Sequence, residues 1–181
     1  MKHIKYIIPI ILAVAVFFVF KLYGGELFSI FNHPTRYEKY VDKYCSLYNV
    51  DKNLVYSIMK TESKFYPFAK SRTSSKGLMQ ISDETFEHAR KIIEIKTDDI
   101  YNKEENIKVG VWYLSYLFNR FKDERYVVIA YNAGPENISA WMQKGYLDLN
   151  KDYLDWNIPY IETRVYIDKV LKSKKYYDNA K

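Results

Sequence analysis

The chain has a single cysteine, Cys45, among its 181 residues. An internal disulfide is therefore excluded, and so is a metal site built on paired thiolates. Its three histidines, His3, His33 and His88, have no ligand spacing, so no metal and no cofactor is expected. Convincing strand pairs, internal repeats and low-complexity tracts are missing as well, which leaves an all-α fold. Charge is modest. The formal net charge is +6, and Lys2, Lys5 and Lys21 account for part of it beside the N-terminal apolar run. The remainder is a mild bias toward an anionic partner, far short of a nucleic-acid footprint. A hydrophobic content of 48% with 18% aromatics excludes disorder.

One long apolar run is present. Tyr6 to Phe20 carries no charge, and Lys2 and Lys5 precede it. The run is short of the ~20 residues a span needs, but Lys5 and Lys21 can snorkel and bring Leu22 and Tyr23 into the interface. The rival reading is a cleaved signal peptide, for which Gly24 and Gly25 are the only cleavage candidates. The uncleaved anchor is favoured. Residues 1–23 are then a single-pass membrane anchor, 24–36 a linker and 37–177 the folded body. The positive flank lies before the span, so the N-terminus is expected in the cytoplasm and the body outside the cell membrane. No lipoprotein-type cysteine adjoins the run.

Beyond Pro34 the pattern predicts helices joined by loops. Thr35 to Tyr48 reads as one amphipathic helix, with Val41, Tyr44, Cys45 and Tyr48 on one face. Lys52 to Ser63 follows, with Asp51 as its N-cap. A loop over Phe65 to Gln80 is marked by Pro67, Gly77 and a Ser/Thr cluster. Asp83 to Ile93 is helical. Asn102 and Glu105 resemble a capping box that opens the most strongly patterned helix, with Ile107, Gly110, Val111, Leu114, Leu117, Phe118 and Phe121 in one stripe. Glu124 to Ala133 is a short helix stopped by Gly134 and Pro135. A further helix from Pro135 runs to Gly145, an irregular loop spans Lys144 to Ile158, and Tyr160 to Tyr177 is the last helix.

Glu62 breaks this pattern. Leu54, Val55, Ile58 and Met59 define one face of their helix, and four residues after Ile58 that face arrives at Glu62. A carboxyl held against apolar neighbours has its pKa raised, and one still protonated near neutral pH can serve as a general acid. The plainer alternative is that the helix ends here and the carboxylate leans into water, as most glutamates do.

Four motifs follow in order: Glu62-Ser63; Gly77-Leu78-Met79-Gln80; Ala130-Tyr131-Asn132-Ala133-Gly134; and Glu162-Thr163-Arg164 with Tyr166 just after. Each alone is weak. Together, from about Tyr37 to Tyr177, they resemble the catalytic domain of the soluble lytic transglycosylase family, which has a lysozyme-like fold. Asn106-Ile107, Gly110, Trp112-Tyr113-Leu114, Trp141 and Ile158-Pro159 fall where that family has similar residues. The resemblance implies that Glu62 is the sole catalytic acid and that Ser71 lies near the reacting sugar and its N-acetyl group. It implies that Met79 and Gln80 line the saccharide cleft, that Tyr131 and Asn132 belong to the motif whose tyrosine helps hold substrate and the glutamate, and that Glu162 lies near the bound glycan or its peptide. Two departures stand at the loop-to-helix transition. Ser74-Ser75 replaces a small Gly-Ala pair, and Ser82-Asp83 replaces Met-Pro.

Glycoside cleavage usually takes two carboxylates, and here only Glu62 has a cleft context. One carboxylate suffices if the substrate's acetamido oxygen attacks the anomeric carbon and its C6 hydroxyl later closes on that carbon, leaving a 1,6-anhydro end. The resemblance implies a peptidoglycan strand as partner, cut at the MurNAc–GlcNAc β-1,4 bond, and this chemistry agrees with it. The nearest rival is a goose-type muramidase, which needs a second carboxylate to position water, with Asp83 the best candidate. A rival of another class is a non-catalytic glycan-binding component of an envelope-spanning protein complex.

Overall fold

In the computed structural model, residue 9, residues 12–22 and residues 33–179 are described. The chain divides into two units, Met1–Pro34 and Thr35–Lys181. In the first, residues 12–22 are helical and every one is exposed. Among the described residues no helix is long and apolar enough to cross a membrane. Residues 1–8, 10, 11 and 23 of the expected anchor, and residues 24–32 of the expected linker, lie outside the described residues.

The second unit is built of seven α-helices among the described residues: α1 (Glu38–Tyr48), α2 (Lys52–Ser63), α3 (Asp83–Arg90), α4 (Lys103–Phe121), α5 (Glu124–Ala133), α6 (Pro135–Gln143) and α7 (Ile161–Asn179), with a 3-10 turn at Tyr153–Asp155. Helix α1 starts later than the expected Thr35 because Tyr37 takes φ 66°, a left-handed conformation that no α-helix interior accepts. Asn49, also left-handed at φ 53°, ends it and returns its N–H to the Cys45 carbonyl. Asp51 caps α2 as expected, its carboxylate accepting from the Asn53 N–H at 2.8 Å. Ser82, one of the two departures from the family pattern, caps α3 by accepting from the Thr85 N–H. Helix α3 stops at Arg90, short of the expected Ile93.

Helix α4 is the central element. It packs against α1, α3 and α5; α2 lies on α7 and α1; and α5 carries α6 and α7. Of the expected stripe, Ile107, Val111, Leu114 and Leu117 are fully buried, whereas Phe118 and Phe121 only lean on the core. Each fully buried aliphatic side chain of this kind contributes about 1.5–3 kcal/mol through removal from water. Burial extends beyond the stripe to Glu105, Asn106, Lys108, Val109 and Trp112, because neighbours enclose the first half of the helix on several sides. Gly110 lets Met79 seat directly on the helix: a Cβ there would lie 2.3 Å from the Met79 sulfur. Cys45 is buried in this core as a small apolar residue. The expected capping box forms only in part. Asn102 accepts from the Glu104 and Glu105 N–H groups, but its own N–H goes to the Asp99 carbonyl, and the Glu105 side chain turns inward toward Lys108, 3.5 Å away.

Candidate active site

Helix α2 carries Glu62 on its last turn. Leu54, Val55, Ile58 and Met59 pin the helix by full burial, and Glu62 emerges from that face half-buried. Tyr166, from α7, donates its hydroxyl to Glu62 Oε1 at 2.7 Å. Burial pushes the Glu62 carboxyl up to about 7; the Tyr166 hydrogen bond opposes that rise by favouring the carboxylate, and the nearby charge of Glu162 adds to it. The helix C-terminus is itself a partial negative charge and disfavours an anion on its last turn. Burial holds the phenols of Tyr166 and Tyr131 well above their ordinary value, so both stay protonated and Tyr166 remains a donor.

The loop after Glu62 is fixed by a buried polar network. Ser63 donates to the Leu78 carbonyl at 2.7 Å. Asn106 on α4 accepts from the Met79 N–H at 2.8 Å and donates to the Lys76 and Ile100 carbonyls, each at 2.9 Å. Its amide oxygen and both amide hydrogens are thus engaged, joining the loop to the backbone at Ile100, the condition under which a buried amide stabilises rather than costs. Gly77 makes the close approach possible: it sits at φ +80°, and a Cβ there would lie 2.3 Å from the Asn106 amide nitrogen. Paired bonds between Lys76 and Ile81, each 2.9 Å, close the turn that presents Gln80.

These elements wall an open cleft in two adjoining lobes. The smaller, about 350 Å³, is lined by Glu62, Ser71, Gln80, Tyr131, Asn132 and Glu162, which are six of the seven residues nominated from sequence. The exception is Met79, expected on the cleft wall. Its side chain is fully buried against Gly110, and only its backbone serves the site, where its carbonyl accepts from the Tyr131 hydroxyl at 2.8 Å. That bond corrects a second expectation, because the residue hydrogen-bonded to Glu62 is Tyr166 rather than Tyr131. Asn132 accepts from Thr163 at 2.7 Å, tying α5 to α7. The larger lobe, about 480 Å³, shares Ser75, Gln80, Tyr131 and Asn132 and adds His88, Tyr113 and Tyr116. Tyr113 and Tyr116 stack with ring centroids 6.0 Å apart, giving flat apolar faces of the kind that pack on sugar rings.

Thr73, Ser75, Tyr160 and Thr163 also line the Glu62 lobe and were not nominated. Strand alternation does not carry from Ser71 to the first two, because residues 72–73 form a turn and Ser74 is left-handed at φ 67°. Asp83, the candidate water-positioning carboxylate, belongs to neither lobe; it is exposed and paired with Lys76 at 2.6 Å. Among the described residues no group of three His, Cys, Asp or Glu side chains converges as a metal site would require.

Residues 39–154 match the transglycosylase SLT domain. The chain belongs to that family. The soluble lytic murein transglycosylase of Escherichia coli K12 is 30% identical over 149 residues, which cover 80% of this chain and 23% of that protein. The membrane-bound lytic murein transglycosylase C of Photorhabdus laumondii is 31% identical over 175 residues, covering 80% of this chain and 49% of that one. Among solved structures, a complex of the 70-kDa soluble lytic transglycosylase with bulgecin A superposes with a TM-score of 0.73 at 30% identity, over 81% of this chain and 24% of that one. The chain thus spans about a quarter to a half of the length of these relatives. The four motifs of this SLT domain, scattered from Glu62 to Tyr166, meet at the smaller lobe, where Tyr166 bridges 104 positions to reach Glu62.

Proposed function

We propose that residues 37–177 form a peptidoglycan lytic transglycosylase domain that cleaves the MurNAc–GlcNAc β-1,4 bond without consuming water, with Glu62 as its only acid and base. The observation that carries this reading is the Glu62 carboxyl itself, raised to about 7 and held by Tyr166 at 2.7 Å in a hydroxyl-rich lobe. Near neutral pH a useful fraction is protonated and can donate to the leaving glycosidic oxygen. The substrate's acetamido oxygen then stabilises the anomeric carbon from within. Glu62, now ionised and still bonded by Tyr166, takes the proton of the C6 hydroxyl, whose oxygen closes on the anomeric carbon. One carboxylate works twice, and the product is a 1,6-anhydro end. Ser71, Gln80, Tyr131, Asn132 and Glu162 are proposed to hold the sugar, with Met79 acting through its backbone. The similarity to proteins named lytic murein transglycosylases supports the reading.

The test is to digest purified peptidoglycan and weigh the fragments. Anhydro products resist borohydride and lack an added water. Products one water heavier that label with borohydride would make the protein a goose-type hydrolase and would return attention to Asp83→Asn. Uncleaved substrate with retained binding would support the non-catalytic, envelope-complex reading.

Anchorage through residues 1–23, with the catalytic domain outside the cell, belongs to the same proposal. It is supported by the lysine-flanked apolar run and by similarity to a protein named as membrane-bound. Fractionation is expected to find the chain in the membrane. A soluble mature form starting near Gly25 or Glu26 would establish a signal peptide instead.

A further inference from the structure

Gln80 stands in a backbone conformation that its residue type avoids. Its φ is +49°, in the left-handed region, where glycine and asparagine are the usual occupants. A residue with a side chain keeps such a conformation only when its surroundings hold it there. Here the side chain itself does part of the holding. The Gln80 amide nitrogen donates to the Ala69 carbonyl at 3.1 Å and to the Gly77 carbonyl at 2.9 Å. Both partners are acceptors, so the amide has one workable orientation: turned over, its oxygen would face two carbonyl oxygens. Both amide hydrogens are committed, and Oε1 is the one side-chain atom left to accept from a ligand.

The two carbonyls mark the entry and the exit of one hairpin. The Gly77 N–H returns to the Ala69 carbonyl and the Ser71 N–H to the Ser75 carbonyl, each at 2.9 Å, and Lys70 pairs with Lys76 as an antiparallel bridge. The two sides are held differently. The exit side is fixed from outside by Ile81, through paired backbone bonds to Lys76, and by the Asn106 amide on the Lys76 carbonyl. The entry side carries Ser71, and Gln80 supplies it with a side-chain bond from beyond the hairpin. Ser71 in turn uses its hydroxyl within the hairpin, accepting from the Ser75 N–H at 3.0 Å and bonding the Thr73 hydroxyl at 3.0 Å. A shift of the entry side therefore carries the Ser71 hydroxyl with it.

We propose that Gln80 is a positioning residue. Its amide clamps the two ends of this hairpin together, and its part in holding the sugar runs through Ser71 rather than through a donated hydrogen bond of its own. The inference deepens the glycan-cleaving reading above and rests on it for the part that Ser71 plays toward substrate. The clamp itself is a property of the chain without substrate.

The test compares the full chain with Gln80→Asn and Gln80→Glu. Asn suits the left-handed backbone and keeps an amide, but is one methylene too short to span both carbonyls. Glu keeps the length and an acceptor for a ligand, but turns an oxygen against both carbonyls. Amide hydrogen exchange without substrate reads the clamp directly. Exchange at Ser71 and Gly77 is expected to quicken about tenfold in Gln80→Asn, as two modest neutral hydrogen bonds are lost, and further in Gln80→Glu, while the amides of α4 stay protected. Unchanged exchange at Ser71 and Gly77 in Gln80→Asn overturns the proposal, and that result stands even if Gln80→Glu does not fold. A double-mutant cycle with Ser71→Ala tests the link to substrate. It is read in kcat/KM on peptidoglycan and in co-sedimentation with glycan in the Glu62→Gln background. The double variant is expected to be no worse than the worse single variant. Losses that multiply would make Gln80 an independent sugar ligand and overturn the proposal. A chain that never cleaves would sink the catalytic reading alone, because exchange and co-sedimentation still decide the clamp.

Discussion

Two glutamates sit in low-polarity surroundings on different helices, and their settings are opposite. Glu105 lies in the first turn of α4, at 2% exposure, with the Lys108 ammonium 3.5 Å away. The helix N-terminus favours an anion there and the lysine neutralises it. Glu62 lies on the last turn of α2, facing the negative end of its helix, with a phenol for a partner and an open lobe in front of it. Burial alone does not make a catalytic acid. A compensated carboxylate is a structural part, whereas one deprived of a cation, and still reachable, is held near the pKa at which it can give and take a proton.

The sharpest way to break this contrast is Glu62→Gln. The substitution keeps shape and the Tyr166 acceptor but cannot donate the proton. On the proposed mechanism the residue serves both steps, so cleavage is expected to fall by about 10⁴-fold or more, with glycan binding retained in co-sedimentation. Substantial residual turnover in a zymogram would remove Glu62 from its role. The same variant carries a stability signature. Glu62 has a folded pKa above its unfolded value, so the folded state binds the extra proton between about pH 4.5 and 7, and the native chain loses stability as pH rises through that window. Glu62→Gln is therefore expected to be more stable than the native chain at about pH 8, by roughly 3 kcal/mol, and equal to it near pH 4.

Glu105→Ala should behave in the opposite sense. It strands Lys108, only 9% exposed, although that ammonium keeps the Glu94 carbonyl. A loss of about 3 kcal/mol in denaturant unfolding is expected, near the lower end for a broken buried pair, with no change in the pH profile of the activity that remains. If stability did not fall, Glu105 would not be the counter-charge of Lys108.

Tyr166→Phe probes the remaining difference, the phenol. That hydrogen bond favours the Glu62 carboxylate, so its removal is expected to lift the Glu62 pKa further and move the alkaline limb of kcat/KM upward from about 7. The rate should drop about tenfold, in line with a hydrogen bond to a charged group of about 1.5–3 kcal/mol that matters in only part of the cycle. A limb that moved downward would mean that Tyr166 stabilises the acid form.

Helix periodicity and caps are local, and they were largely legible. Lys52–Ser63 starts at its Asp51 cap and Glu124–Ala133 stops at Gly134-Pro135 as expected, and the apolar steps through Leu54 and Ile58 led to Glu62. The misread starts and stops had causes that no apolar pattern encodes. Tyr37 adopts a left-handed conformation, and Glu105 prefers a buried lysine to the backbone of its own cap.

The site was legible as a set of motifs and illegible as a geometry. The sequence alone determined that a carboxylate would stand at the end of an apolar helix face, since spacing along one helix is fixed by its 3.6-residue turn. Only the tertiary structure decided what surrounds it. Tyr166 and not Tyr131 reaches Glu62, Met79 turns into the core against Gly110, and Asp83 is spent on Lys76. Each outcome depends on where distant segments pack, and packing in three dimensions is set by the competition for buried volume and hydrogen-bond partners across the whole domain.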